Sequence, residues 1–250
     1  MRETSLETPA HAAAFRSGRA SGGTLFPRET LASDSVEAAR RLIGAHLVRL
    51  DDGGARIGRI VEVESYGGTE DLASHARFGR TRRNAVMFGP PGFAYVYLVY
   101  GMHECLNLVT EPEGRPAAVL IRAIEPLAGA DCMRQARLDW TAARQARQSA
   151  DRQAQARRRV AELPAVALAS GPGLVCAAFS IGRDEDGLDL CDPDSLVRLE
   201  SAPAGELPIR IASGPRVGIG YAAEPWMRKP WRFWAEGNAA VSAAARARSR

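Results

Sequence analysis

The sequence predicts one domain of mixed α/β class, and three segments lead to that prediction. A polar cap at 33–35 precedes the run VEAARRLIGAHLVRL (36–50), whose apolar residues recur at the spacing of an amphipathic helix. In ARIGRIVEVESY (55–66) apolar and polar residues alternate, which is typical of a half-buried strand. The segment FAYVYLVYGMHECLNLVT (93–110) predicts two strands that meet at a tight turn at Gly101.

The second half of the chain continues this mixture. PAAVLIRAIEP (116–126) predicts an apolar strand in which one charge, Arg122, is embedded. VALASGPGLVCAAFSI (166–181) predicts a Gly/Pro turn that opens a short helix, and LPIRIASGPRVGIGY (207–221) predicts strand, turn and strand. The sequence contains no internal repeat and no obvious linker, so a single domain is the simplest organisation.

The boundaries of that domain follow from composition. Residues 1–24 are small, polar and aperiodic, which predicts a flexible arm, and the Arg-rich end at 239–250 predicts a loose tail. The folded domain then covers 25–238. Residues 132–160 carry eight arginines against two aspartates, and we treat 135–160 as a polar, Arg-rich insertion. A solvated helix, a disordered segment and a patch that attracts nucleic acid all fit this insertion.

Composition also limits the class of protein. The 250 residues are 46% hydrophobic and 25% charged, which allows a sizeable core. The net charge is +4 and all but one of the basic residues are arginine, which allows a phosphate-bearing partner without identifying one. The four cysteines are widely spaced, so we expect reduced thiols in a cytoplasmic protein. No apolar run approaches the ~18 residues of a membrane span, and we expect no membrane association.

Familiar cofactor and metal chemistry has no motif in this chain. The four histidines are isolated from one another, and the acidic run at 184–194 lacks the spacing of a calcium loop. The Gly-rich segments match neither a phosphate-binding loop nor a dinucleotide fingerprint, and there is no GxSxG nucleophile elbow. We therefore expect a protein that works without metal or cofactor.

Candidate functional residues are concentrated between 59 and 107. Strand alternation puts Glu62, Glu64 and Tyr66 on one face, although exposed acids on such a strand are usually only solvated. Next to this strand the chain supplies a histidine, a basic turn and a group of aromatic residues: His75, 80–83, Phe93, Tyr95, Tyr97 and Tyr100. Carboxylates, aromatic rings and arginines together suit a flat substrate that is linked to phosphate.

These segments resemble the alkyladenine (3-methyladenine) DNA glycosylase family. The matching motifs run in order from about 38 to 234: EVESYGGTEDLASH, GRTRRNAVMFGPPGFAYVYLVYGMHECLNLVT, VLIRAIEPLAG, LASGPGLVCAAF and SGPRVGIGYAAEPWMRKPWRF. The resemblance implies a mixed α/β (α+β) domain around curved antiparallel strands, with a protruding β-hairpin that enters the DNA minor groove and peripheral helices. It also implies hydrolysis of the N-glycosidic bond of alkylated or deaminated purines in double-stranded DNA, which leaves an abasic site.

The resemblance assigns the chemical step to three residues. Glu64 corresponds to the general base that activates water, and Arg122 and the backbone carbonyl of Val217 correspond to groups that hold that water. One departure from the family is visible, because Leu174 stands where relatives commonly carry a lysine. This departure removes one positive contact and no catalytic group.

Base recognition is assigned to a second set of residues. The resemblance implies that Tyr66, His75 and Tyr97 enclose the flipped base and that Tyr100 fills the gap left in the duplex. It also implies that Asn107 stands where the amino group of guanine is refused, a discrimination by exclusion rather than attraction.

Two other classes of function use some of the same residues. A non-catalytic nucleic-acid-binding module would use the tyrosines and arginines, but it needs no carboxylate among them, and Glu64 therefore favours the enzyme. A sugar-acting glycoside hydrolase could use Glu62 and Glu64 as its two acids but leaves the hairpin tip unexplained. The sequence thus predicts a monofunctional DNA glycosylase of base-excision repair, monomeric and nucleoid-associated in the cytoplasm.

Overall fold

The computed structural model describes residues 24–99, 101–205 and 208–243, and its strands form one antiparallel sheet. Within those residues the strand order is β3-β4-β5-β2-β1-β6, with β8 pairing both β2 and β7. The strands are β1 (His46–Asp51), β2 (Gly54–Tyr66), β3 (Ala94–Val99), β4 (His103–Thr110), β5 (Ala117–Ala128), β6 (Val197–Glu200), β7 (Ile211–Gly214) and β8 (Arg232–Ala235).

Helices pack around this sheet and complete a mixed α+β domain, which confirms the predicted fold class. The α-helices are α1 (Arg28–Leu31), α2 (Ser35–Leu42), α3 (Ala130–Gln145), α4 (Ala150–Ala161) and α5 (Pro172–Phe179). Short 3-10 helices lie at His75–Phe78, Ala85–Phe88, Ala165–Ala167 and Arg183–Glu185. No helix in the described ranges has both the length and the apolar character needed to cross a bilayer.

The predicted helix over 36–50 is wrong in its second half. The side chain of Asp34 caps α2 by accepting from the backbone N–H of Val36 at 2.9 Å, as the polar cap predicted. The helix ends at Leu42, because Gly44 adopts a positive φ of 97° and turns the chain into β1. From there each residue of β1 pairs with β2, so sheet pairing decides the structure of an apolar run that also fitted a helix.

The strand–turn–strand prediction for 207–221 is correct for β7 alone. After Gly214 the chain forms a loop instead of a second strand, and β7 pairs with the later strand β8. The loop is held elsewhere, because the side chain of Arg216 and the backbone N–H of Val217 bind acidic residues of other elements. Those contacts replace the hydrogen bonds that a second strand would have made.

The remaining predicted elements are present. β2, β3, β4, β5 and α5 lie where the patterns placed them, and Gly101 in the β3–β4 turn has the positive φ, 66°, that a tight turn favours. The Arg-rich stretch forms α3 and α4, and Met133, Ala136 and Thr141 of α3 are buried. The first helix of this stretch is therefore packed into the domain.

The two faces of the sheet carry different clusters. One face, with α2, α3 and α5, forms the main apolar core, to which the register pair Val63 and Ile121 belongs. Since successive strand residues alternate, the next pair, Glu64 and Leu120, faces the opposite side. That second face is covered by the 67–88 and 215–231 segments, and it carries the candidate site.

Candidate active site

Glu64 is a fully buried carboxylate with three donors around it. Its Oε1 accepts from the backbone N–H of Val217 at 2.7 Å, and its Oε2 accepts from the Tyr66 hydroxyl at 2.9 Å. Arg122 Nη1 lies 3.3 Å from the same Oε2. An ionised carboxylate offers about four acceptor positions, so about one is left for a further donor. Glu64 is therefore held by the protein and is not a solvated surface acid.

Glu62 is equally buried, and its two oxygens also accept from three protein donors, two of which are arginines. Oε1 accepts from Arg122 Nε at 3.1 Å and from Arg232 Nη1 at 3.2 Å, and Oε2 accepts from the backbone N–H of Ser242 at 2.8 Å. The side chains therefore alternate in charge in the order Arg232, Glu62, Arg122, Glu64. Glu62 orients Arg122 rather than offering a free acid.

A pair of offset bulges brings Arg122 between the two glutamates. In the β2–β5 register Ile60 pairs with Ile124, Glu62 with Ala123 and Val63 with Ile121, so that Val61 and Arg122 are both skipped. Such irregularities re-aim side chains next to functional sites. Burial lowers the pKa of Arg122, but the charges of Glu64 and Glu62 raise it more, so its pKa lies above the usual value.

Tyr66 is the ring adjacent to the Glu64 carboxylate. Burial raises the pKa of Tyr66 well above its usual value, and the negative charge of Glu64 raises it further. The hydroxyl is therefore protonated and donates to Glu64. On the other side of the ring the Arg216 guanidinium lies 4.6 Å from the ring centroid, within the range of a cation–π contact.

Arg216 anchors the loop that delivers the Val217 N–H. The guanidinium is fully buried and bonds both oxygens of Asp71, with Nη2 to Oδ1 at 2.9 Å, and Nη1 also donates to the Ser65 carbonyl at 2.9 Å. Asp71 in turn accepts from the backbone N–H of Ala73 at 3.0 Å. One buried ion pair thus joins the loop after β7, the strand β2 and the segment that leads to His75.

The sheet register aligns further site residues in one row. Glu64 pairs with Leu120, Leu120 with Asn107, and Asn107 with Tyr95, so these four side chains share one face across four strands. Neighbouring strands are ~4.8 Å apart, which puts the Glu64 and Asn107 backbones roughly 10 Å from each other. The Asn107 amide is held in place, because Nδ2 donates to the Tyr95 carbonyl at 3.1 Å.

Three rings lie together at the far end of this row. His75 and Tyr97 meet edge to face with centroids 4.4 Å apart, and Tyr95 stacks on Tyr97 at 5.3 Å. His75 Nδ1 and the Tyr95 hydroxyl share a hydrogen bond at 2.9 Å. Burial raises the pKa of Tyr95 to about 12 and that of Tyr97 further, so both phenols are neutral.

His75 is an uncharged imidazole at neutral pH. Burial lowers its pKa to about 4, with a further lowering by the positive charges of Arg83 and Arg77. Asn84 fixes the backbone around His75, because its Nδ2 donates to the His75 and Gly79 carbonyls, both at 3.0 Å. The aromatic group therefore presents neutral rings although arginines stand close by.

A surface cavity of about 370 Å³ opens on the outer side of His75. Arg77, Arg83, Phe78 and Tyr221 are among its lining residues, and Arg77 lies over the rings of both Phe78 and Tyr221, at 4.5 and 5.1 Å. Phe78 and Tyr221 are largely exposed. The rim of the site is thus basic and aromatic, whereas the interior carries the alternating arginines and glutamates.

The structure brings together the residues that the sequence singled out, with one difference in detail. Glu64, Tyr66, Arg122 and Val217 form one group, and His75 and Tyr97 form another beside Asn107. Val217 contacts Glu64 through its N–H, whereas the expectation concerned its carbonyl. Tyr100 lies outside the described residues.

Several residues that build the site had no clear signal in the sequence. Asp71 falls inside the EVESYGGTEDLASH motif, so the motif contained it without indicating its role. Its partner Arg216, 145 residues away in the chain, and the Glu62 partner Arg232 could be identified only from the fold. In the sequence, Asn84 likewise has only the features of an ordinary turn residue.

No metal centre is visible in the part of the chain that the structure covers. Among the described residues, no three His, Cys, Asp or Glu side chains are grouped as metal ligands. The four cysteines are free thiols, and burial raises the pKa of Cys105, which lies beside Tyr97 in the register, to about 12.

Comparison with known proteins identifies a family that matches nearly the whole described chain. The model of the family described as methylpurine-DNA glycosylase (MPG) matches residues 29–239. A protein from Anaeromyxobacter dehalogenans (strain 2CP-C) is 43% identical over 218 residues, 87% of this chain and 86% of that protein. A protein from Methanocella arvoryzae is 43% identical over 87% of this chain and 96% of its own length.

A third relative, from Bacillus cereus (strain G9842), is 42% identical over 213 residues, 84% of this chain and 94% of that protein. All three relatives carry the name "Putative 3-methyladenine DNA glycosylase". The family model extends from within α1 to beyond β8 and so covers Glu64, Tyr66, Arg122 and Val217.

The Arg216–Asp71 pair is expected to be essential for stability. Asp71→Asn leaves the buried guanidinium without its counter-charge and should lower the free energy of unfolding by about 3 kcal/mol. The matched control is Glu37→Gln, which makes the same chemical change in an exposed ion pair with Arg41 and should cost at most about 0.5 kcal/mol. Urea unfolding measures both, and equal values for the two variants would contradict this role of Asp71.

His75 is expected to titrate at about 4 in the folded protein. Since its pKa in an unfolded chain is ~6.5, the stability associated with the neutral ring is complete above ~6.5 and decreases as pH falls from there to about 4. Imidazole NMR shifts give the midpoint. Arg83→Gln should raise it and Arg82→Gln, the same charge change one residue away, should not; a midpoint near 6.5 would contradict the prediction.

Proposed function

The chain belongs to the methylpurine-DNA glycosylase family, and from that premise we propose that it removes damaged purine bases from double-stranded DNA. The observation that carries this proposal is the buried Glu64 carboxylate, which faces neutral aromatic rings and keeps about one acceptor position unfilled. A group of this kind can orient one water molecule against a planar, flipped-out nucleotide.

The substrate must leave the duplex before it can reach Glu64. A stacked and paired base conceals its glycosidic bond, and turning it out costs a few kcal/mol. We propose that Tyr66, His75 and Tyr97 offset this cost by enclosing the flipped purine, since stacking on an aromatic side chain contributes ~1–3 kcal/mol per base. His75 and Tyr97 already hold fixed positions through Tyr95, which reduces the ordering that binding requires.

The neutral state of the rings suits an alkylated base. Methylation of a purine ring nitrogen makes the base electron-poor and often cationic, and aromatic faces attract cations. A protonated His75 would repel such a base, but its pKa of about 4 keeps it uncharged at physiological pH. The two nearby arginines, Arg77 and Arg83, lower this pKa and so help to keep the charge off the ring.

In the chemical step a water oxygen bonds to C1′ of the sugar while the bond from C1′ to the purine nitrogen breaks. The sugar develops positive charge, which the Glu64 carboxylate stabilises, and the water gives its proton to Glu64. Arg122 and the Val217 backbone hold Glu64 and the water in place. The bond electrons leave with the purine, and a cationic base departs as a neutral one.

Asn107 is proposed to discriminate against undamaged guanine. Its amide is fixed by the Tyr95 carbonyl at 3.1 Å and lies about two strand spacings from Glu64. A fixed amide cannot move aside for an extra exocyclic amino group, so the wrong base meets a clash or loses a hydrogen bond. The fixed geometry makes this exclusion effective.

The reaction is proposed to stop at the abasic site. Strand-cleaving glycosylases form a Schiff base through an amine. The single lysine of the chain, Lys229, lies 3.7 Å from the Trp226 ring and 4.2 Å from the Trp231 ring. Cation–π contacts with two indole rings hold this side chain in place rather than leaving it free to approach a sugar carbon.

A binding module without chemistry is the alternative function. It would use the basic and aromatic rim formed by Arg77, Phe78 and Tyr221, but it gives no reason to bury two carboxylates next to that rim. A glycoside hydrolase with two acids is disfavoured for another reason. Glu62 is held by two arginines and a backbone N–H, whereas Glu64 is the acid that contacts an aromatic residue of the proposed pocket, Tyr66.

Incubation with damaged duplexes tests the proposed function directly. Oligonucleotides that carry hypoxanthine, ethenoadenine or a methylated purine should yield strand breaks after alkali, and none before it. Borohydride should trap no covalent complex. Release of no base from any of these duplexes would return the protein to the binding-module function, and a trapped adduct would contradict the monofunctional mechanism.

Glu64→Gln is expected to lower single-turnover base release at least ~10²-fold, because the amide keeps the shape but cannot accept a proton. Affinity for lesion DNA should hold or improve, since a negative charge has been removed. Glu62→Gln, two residues along the same strand, is the matched control: it should lower thermal stability through Arg122 and Arg232 and cost much less activity. An active Glu64→Gln would reject the assignment.

Tyr100 is proposed to fill the gap in the duplex, on the basis of the family resemblance. Tyr100→Ala should lower base release ~5- to 150-fold, the equivalent of ~1–3 kcal/mol of stacking. The loss should be smaller when the lesion is mispaired, because a mispaired base flips more easily. Equal losses on paired and mispaired lesions would contradict the wedge role.

A further inference from the structure

Within the part of the chain that the structure describes, the net positive charge is concentrated in one pair of helices. Residues 130–161, which form α3 and α4 and are called here the basic helical pair, contain eight arginines and three aspartates, a net charge of +5. The rest of the folded domain, 24–129 and 162–243, contains 19 basic and 24 acidic residues, a net charge of −5. Outside the pair, the domain as a whole is therefore negatively charged, and its positive groups that face a polyanion are local ones such as the rim arginines Arg77 and Arg83.

The basic helical pair is built to keep α4 in a fixed position with its arginines in solvent. Arg134 of α3 donates through Nη1 to the carbonyls of Val160, Ala161 and Leu163, at 3.1, 3.1 and 2.7 Å, and so caps the end of α4. Among its residues α4 buries Val160 alone. A helix that contributes so little to the core retains its exposed charges as its main feature.

Four exposed arginines of the pair have no acidic partner, and one of them, Arg152, donates to the Gln148 side chain at 3.1 Å. The other three, Arg147, Arg157 and Arg159, form no ion pair within the described part of the chain. Arg158, by contrast, pairs with Glu162 just after the end of α4, at 2.7 Å. Arg147 lies in the turn between α3 and α4, and Arg157 and Arg159 lie on α4; unpaired guanidinium groups held in such positions are suited to bind phosphate oxygens.

The pair also lies directly beside the β3–β4 hairpin. The Trp140 ring of α3 stacks on His103, the first residue of β4 after the hairpin turn, with centroids 5.4 Å apart. Arg144 packs over Trp140 at 4.3 Å and lies 3.7 Å from Glu104. DNA that reached the hairpin would therefore pass close to the end of α3 and the loop that leads to α4.

From these observations we propose that the basic helical pair binds the DNA backbone next to the hairpin and supplies most of the lesion-independent affinity. The 12 residues of α4 extend ~18 Å, which corresponds to about five base pairs at 3.4 Å each. Contacts of this type carry no sequence information and hold the protein on undamaged DNA while it searches. The choice of DNA as the polyanion rests on the proposed function.

The arginines of α4 also have a purely structural explanation. Arginines in the last turn and Asp151 in the first turn complement the dipole of α4, and this could be their whole role. The two explanations predict different effects on helicity and on DNA affinity when the arginines are replaced. A structural role predicts a less helical variant with unchanged DNA affinity, whereas the proposed contact predicts lost affinity with the fold intact.

The test is the triple variant Arg147→Gln, Arg157→Gln and Arg159→Gln, measured by fluorescence anisotropy on a short undamaged duplex from about 50 to about 200 mM salt. The plot of log affinity against log salt should become shallower by about 2 to 3, since each lost phosphate contact contributes ~0.9. Single-turnover base release at saturating enzyme should stay within ~2-fold of the wild type.

Two matched variants make the outcome decisive. Replacement of Arg41, Arg115 and Arg210 by Gln removes three exposed arginines elsewhere and should leave the slope unchanged; an equal loss would overturn the proposal in favour of total charge. Lysine at 147, 157 and 159 should retain affinity, and a loss as large as with glutamine would overturn it as well. A wild-type slope of log affinity against log salt in the triple glutamine variant would also overturn the proposal.

The test is independent of the catalytic proposal. Binding to undamaged duplex is measured without any base release, so a protein that binds through the basic helical pair but releases no base would refute the proposed function alone. Loss of base release at saturating enzyme in the first triple variant would show that the pair belongs to the site, and that result would overturn the separation proposed here.

Discussion

The rest of the site depends on one buried series of alternating charges, Arg232, Glu62, Arg122 and Glu64. A buried ion costs several kcal/mol unless it is paired and hydrogen-bonded, so none of these four side chains is stable in place without the others. Three strands must meet for the series to form, because Arg122 comes from β5 and Arg232 from β8 while both glutamates lie on β2. The two offset bulges give Arg122 its direction, and the loop after β7 then closes over Glu64.

Local pattern was sufficient to predict the strands and the residues with chemical character, but not the partners of those residues. Alternation predicted β2 and its carboxylates, and the family motifs indicated Glu64, His75 and Asn107. The patterns do not encode that Glu64 is buried, because burial depends on β5, β8 and the loop at 215–217. The two failed predictions have the same origin. The apolar run 45–50 fits a helix or a strand, and pairing with β2 makes it a strand. The 215–221 segment alternates like a strand, but its bonds to Asp71 and Glu64 hold it as a loop.

The site has to satisfy opposite electrostatic requirements within a few ångströms. A phosphate-linked substrate needs positive charge, a developing sugar cation needs negative charge, and an alkylated base needs neutral aromatic faces. The fold separates these in layers, with arginines at the rim, neutral His75 and tyrosines behind them, and the Glu64 carboxylate at the bottom. The rim arginines also lower the pKa of His75, so the outer layer maintains the neutrality of the middle one.

The same requirements explain why attraction to DNA is best placed away from the site. A stronger positive field around Glu64 would stabilise phosphate but would disfavour a cationic base and the charge that develops on the sugar. The arginines of α3 and α4 place the long-range attraction for DNA beside the hairpin. The rest of the described domain, which contains the site, has a net charge of −5. Salt screens the exposed arginines much more than the buried series on β2. Binding to undamaged DNA can therefore weaken with ionic strength while the chemistry of a bound lesion stays unchanged.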